Sequence, residues 1–119
     1  MGCKTCSDIQ DTVEADVLNK QTLPACVDRF EDFGYYGDDL DSYHLLKCPE
    51  CGAYFRRHDW DHFEEGGAVG VKIKRIGRFE AVEILEKSVE KIKSAKWLSD
   101  RYDVKKIKNE LARLDLGQP

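Results

Sequence analysis

A chain of 119 residues has room for one domain with a modest core, which a metal cross-link would help to hold together. Its 41% hydrophobic and 35% charged residues describe a soluble globular protein, and no apolar run approaches the roughly 20 residues that a spanning helix needs, which excludes a membrane protein of that kind. The formal charge of −4 is unevenly placed, −9 over residues 1 to 65 and +5 over residues 66 to 119; the asymmetry suits a partner of either sign, and equally an ordinary solvated surface.

At the start of the chain, Asp8, Asp11, Glu14 and Asp16 arrive where a secretory signal would carry a basic and then an apolar stretch. With export not expected, five cysteines including two C-x-x-C pairs point to metal in a reducing compartment, and the localisation expected is cytoplasmic. Met1-Gly2-Cys3 has the look of an acylated N-terminus, but Cys6 stands where the myristoylation pattern requires Ser or Thr. Cys3-Lys4-Thr5-Cys6 instead reads as a knuckle running into a helix, since Ile9, Val13 and Val17 recur every four residues. A second helix is predicted from Thr22 and Pro24, with Cys26, Val27, Phe30 and Phe33 at helical spacing and Gly34 as its stop, followed by a loop to Ser42.

Strand signals follow. Tyr43 to Cys48 and Ala53 to Phe63 flank the knuckle Cys48-Pro49-Glu50-Cys51-Gly52, and Val69, Val71 and Ile73 alternate with Lys72 and Lys74. The last third is helical: Phe79, Val82, Leu85, Val89 and Ile92 form one stripe, and Val104, Ile107, Leu111 and Leu114 form another that starts near Asp103 and stops at Gly117. The fold expected is therefore α+β, a three-stranded antiparallel zinc-knuckle sheet with inserted N-terminal helices and a C-terminal helical hairpin. Residues 1–76 would make the zinc-binding core with a helical insertion over 8–34, and residues 77–119 the hairpin packed on it, as one domain.

Each C-x-x-C turn can give two thiolates to a tetrahedral ion, so Cys3, Cys6, Cys48 and Cys51 make the simplest closed Zn2+ site. Pro49 would stiffen the second turn and Gly52 would let the backbone pass the metal. Lys4 and Lys47 could offset the charge of four thiolates. Rival sites combine Cys48 and Cys51 with His58 and His62, or bring in Cys26 or His44. The stretch Tyr43-His-Leu-Leu-Lys-Cys-Pro-Glu-Cys-Gly-Ala-Tyr-Phe, with the early C-x-x-C, resembles zinc-ribbon and rubredoxin-like proteins, in particular small uncharacterised bacterial ones with an N-terminal CxxC and a CPxCG knuckle. The resemblance covers residues 3 to 6 and 43 to 63; it implies a metal site and no activity.

A candidate binding surface is the strand face that Tyr54, Arg56, His58, Trp60 and His62 would share, able to stack bases or grip a peptide; the plainer reading has the helical hairpin packed over Tyr54 and Trp60. A closed four-cysteine site leaves no open coordination position, so no enzyme is expected, although His58, Asp59, Asp61 and His62 could form a hydrolytic metal cluster. The functional expectation is a structural zinc protein that binds another protein, of adaptor or toxin-neutralising type. The alternative is a zinc-ribbon nucleic-acid binder, supported by the Lys-rich second half, with a metal-dependent hydrolase third and no membrane partner.

Overall fold

The computed structural model describes Cys6, Ile9, residues 11 to 38 and residues 40 to 115. Five strands form one antiparallel sheet: β1 (Thr12–Asp16), β2 (Glu31–Gly37), β3 (Asp41–Lys47), β4 (Tyr54–Asp61) and β5 (Val69–Ile76), in the order β1-β5-β4-β3-β2. Three helices follow, α1 (Arg78–Ser94), the single turn α2 (Lys96–Ser99) and α3 (Val104–Asp115). The expected α+β class and the three central strands are present, but the three-stranded sheet is corrected to five strands.

The two extra strands replace the helical insertion expected over 8–34. Val13 and Ala15 alternate toward one face and pair with Ile73 and Val71 of β5, and this period of two overrides the four-residue spacing of Ile9, Val13 and Val17. Val17 is left 49% exposed in a 3-10 turn (Val17–Asn19) that Asp16 caps. Further on, Val27 and Phe30 belong to a 3-10 turn (Ala25–Arg29) and its end, while Phe33 lies in β2 on the other side of the sheet. Gly34 stops no helix. It sits in β2 at a bulge, where a Cβ would come 2.4 Å from Ser88 Oγ of α1, so glycine permits the close approach of helix to sheet.

Neighbouring residues on each central strand serve opposite layers. Leu45 and Tyr54 join Phe33, Ile76 and the helices in one core, whereas Leu46 and Phe55 join Ile9, Phe30, Val71 and Ile73 in a second core under the N-terminal segment. Phe30 stacks on Phe55 with centroids 4.7 Å apart. Helix α1 buries Ala81, Ile84, Leu85, Ser88, Val89 and Ile92, a stripe rotated from the one expected because two small residues belong to it. Phe79, placed in that stripe by spacing, is 82% exposed in the first turn. In the second stripe α3 buries Ile107 and Leu114 and leaves Val104 and Leu111 partly buried; Asp103 caps the helix by accepting from the Lys105 and Lys106 amides at 2.9 and 3.4 Å, and the expected stop at Gly117 lies outside the described residues.

Polar contacts bind α3 to the sheet. Lys47 donates to Glu110 at 2.8 Å, Tyr54 also donates its hydroxyl to Glu110, and Arg113 reaches the same carboxylate at 2.8 Å. Glu110 is 8% exposed. Burial alone would raise its pKa, but the bonds from Arg113, Lys47 and Tyr54 outweigh that and hold it at about 2.

Candidate metal centre

The knuckle lies where β3 leaves the sheet and β4 returns to it. Cys48 donates its amide to the Ala53 carbonyl at 2.9 Å, and Gly52 donates back to the Cys48 carbonyl at 2.9 Å, closing a tight bend. Gly52 takes φ +77, in the left-handed region that favours glycine. The bend leaves the Cys48 side chain buried in the second core and Cys51 at the surface above it.

Cys6 arrives from 45 residues away, and one side chain of β5 fixes the segment that carries it. Arg75 donates from Nη2 to the Ile9 carbonyl at 2.7 Å and to the Cys6 carbonyl at 3.3 Å, and from Nε to the Ile9 carbonyl at 3.1 Å. Its guanidinium lies over the Phe55 ring at 4.7 Å and also reaches Cys6 Sγ at 3.6 Å. Cys6 and Ile9 are fully buried. Arg75 belongs to no motif in the sequence; only its pairing with an apolar strand neighbour, Phe55, could have drawn attention to it.

The sulfurs of Cys6, Cys48 and Cys51 all lie within 4.8 Å of one another, with Cys6 and Cys51 3.6 Å apart. Sulfurs bound tetrahedrally to one ion at the usual zinc–thiolate length stand about 3.8 Å apart, close to the Cys6–Cys51 separation. Loss of water pushes the Cys51 thiol up to about 12; the Ala53 amide pulls it down, and contact with Cys6 and Cys48 adds to the rise. A divalent cation held there would add the positive charge that three crowded thiolates need. Among the described residues this is the one cluster of three or more His, Cys, Asp or Glu close enough to hold an ion.

Cys3 and Lys4 lie outside the described residues. Lys47, expected to offset thiolate charge, points to the other face and pairs with Glu110, because strand alternation puts it on the helix side; Arg75 is the cation at the sulfurs. The rival histidines are elsewhere. His58 and His62 both bond Asp41, at 2.8 and 3.1 Å, and His62 lies beyond the far end of β4, on the order of 25 Å along the strand from the knuckle. His44 bonds Asp32 through Nδ1 at 2.9 Å, and Tyr102 donates to the same carboxylate at 2.8 Å. Cys26 packs at the border of the second core without joining the sulfur cluster.

The expected binding surface is divided. Tyr54 is buried beneath α3, while Arg56, His58 and Trp60 stay half-buried where the helices leave the sheet open. The rings there stand against one another: Tyr36 and Tyr43 are 4.8 Å apart and 14° from parallel, Tyr43 and His58 4.5 Å and 15°. Rings that close and that parallel must overlap face to face, so they cannot lie flat on the sheet. No family model, curated protein or solved structure matches the chain. No helix among the described residues is long and apolar enough to cross a membrane.

Proposed function

We propose that this chain is a structural zinc protein of the cytoplasm that acts by binding another protein. The observation that carries the metal reading is the meeting, within 4.8 Å of one another, of three sulfurs from segments about 45 residues apart. Cys3, three residues before Cys6, is the fourth ligand of this proposal, and the knuckle pattern favours zinc among divalent ions. A centre closed by four thiolates has no position for substrate, and the ion's work is to tie the N-terminal segment to the β3–β4 bend. The reducing compartment follows from the use of cysteine as ligand rather than as disulfide.

Elemental analysis of protein purified without chelator tests this reading: about one zinc per chain is expected, lost in Cys48→Ser and kept in Cys26→Ser. Cobalt substitution adds a check on ligands, since sulfur-to-cobalt charge-transfer absorption should fall in Cys3→Ser. Metal-free protein of unchanged stability would refute it.

Nucleic-acid binding is the second reading, favoured by Arg56, Lys72 and Lys74, which are cross-strand neighbours on the face that carries His58 and Trp60. Against it, the ring faces that bases would use are spent on one another. Oligonucleotide affinity that falls steeply with salt would favour it over a protein partner.

A further inference from the structure

At the end of the sheet away from the cysteines, three connections come together: the 3-10 turn after β1, the β2–β3 turn, and a 3-10 turn (Phe63–Glu65) after β4. They hold Val17, Leu18, Leu40 and Phe63 at 49%, 51%, 40% and 63% exposure, four of the six large apolar side chains that stand in solvent among the described residues. Leu18, Leu40, Phe63 and Val69 line one concavity of about 560 Å3 with Asp61 and Glu64. Apolar groups this exposed and this clustered mark an interaction site more often than chance.

The turns are held in shape from within. Asp16 accepts from the Leu18 amide at 3.1 Å, Asp38 from the Leu40 and Asp41 amides at 2.9 Å each, and Asp61 from the Phe63 amide at 3.2 Å. The Leu40 carbonyl accepts from the Asp61 amide at 2.9 Å, linking two of the turns. The exposed side chains are therefore presented by fixed backbone, which lowers the ordering cost of binding. Asp61 and Glu64 line the concavity, and Asp16 and Asp38 belong to the turns that carry Leu18 and Leu40, so the apolar floor has an acidic collar; Lys20 is the only Lys or Arg among the described residues of the three turns.

We propose that this acidic-collared apolar tip is a docking site for a protein segment whose apolar side chains are flanked by Lys or Arg. The proposal rests on the protein-binding reading above and supplies its location and the partner's chemistry. Complementary charge would steer the encounter and apolar burial in the concavity would hold it. Anionic membrane and nucleic acid are both repelled by the collar.

The test uses the full chain and two synthetic amphipathic peptides of equal length, one with Leu on one face and Lys on the other, its counterpart with Glu for Lys. The Lys peptide should bind, shift the amide resonances of Leu18, Leu40 and Phe63, and weaken as salt is raised. The double variant Leu18→Ser/Phe63→Ser should weaken it about tenfold or more while keeping its zinc and its melting temperature. No binding, equal binding of the Glu peptide, or undiminished binding by the double variant overturns the proposal. Cross-linking in cell extract separates it from the broader reading: a protein partner retained by the double variant refutes this location alone, and no protein partner with either chain refutes both.

Discussion

Glu110 gives the most quantitative prediction. Its carboxylate is 8% exposed and takes bonds from Lys47, Tyr54 and Arg113, and it titrates at about 2 in the fold against an ordinary 4.5. A folded pKa below the unfolded one means stability that is complete above the ordinary value and lost as pH falls through the depressed one. The shift is on the order of 3 kcal/mol at neutral pH, of which about 2 kcal/mol is gone near pH 3. Glu110→Gln removes the titrating charge and leaves the half-buried Lys47 ammonium without its counter-charge, so the variant should be about 3 kcal/mol less stable at pH 7. Denaturant unfolding of both proteins across pH 7 to 3 measures it, with the difference between them expected to shrink steadily below about pH 4.5. Loss of metal at low pH affects both proteins alike and cancels in that difference. A gap that stays constant with pH would refute the charge-hub account of how α3 is held.

Four further outcomes follow from particular contacts. Arg75→Ala should cost about 2 kcal/mol by removing both guanidinium bonds to the Ile9 carbonyl, and the Cys6 carbonyl would keep only its bond from the Ile9 amide; it should also weaken zinc binding about tenfold in a competition titration, with Arg75→Lys intermediate. Ser88 Oγ is buried without a partner, so Ser88→Ala should be neutral or up to about 1 kcal/mol more stable by thermal melting. Gly34→Ala should cost about 1 to 3 kcal/mol because its Cβ would meet Ser88 Oγ at 2.4 Å and Ser88 Cβ at 2.9 Å, and Ser88→Gly in the same chain should recover part of that. Chelation should speed hydrogen exchange at Ile9 and in β1 well before it affects the amides of α1, as measured by mass spectrometry or NMR.

What could be read in the sequence depended on how local its cause was. The knuckle at Cys48 to Gly52, the strands on either side of it and the cap at Asp103 are each set by residues within a few positions, and all three are found in the fold. Residues 12 to 37 were misread because their periodicity is ambiguous at short range; Val13 and Ala15 become a strand only by pairing with β5, more than fifty residues later. The roles of Arg75 and Glu110 were invisible for the same reason: Arg113 lies one turn from Glu110, but Lys47, and the carbonyls that Arg75 meets, are more than sixty residues away in the chain. The sulfur cluster was legible in its residue types, and Cys6 does reach the knuckle; the cation beside it was not, because Lys47 is turned away by the alternation of β3.

Sharing one sheet between two separate cores has a consequence for how the gene can change. Leu45 and Leu46, like Tyr54 and Phe55, feed opposite layers from consecutive positions. Deleting one codon inside β3 or β4 would turn every later side chain of that strand over, driving Arg and His inward on both sides at once. Length variation should therefore be tolerated in the turns at 38 to 40 and 62 to 68, and almost nowhere between them.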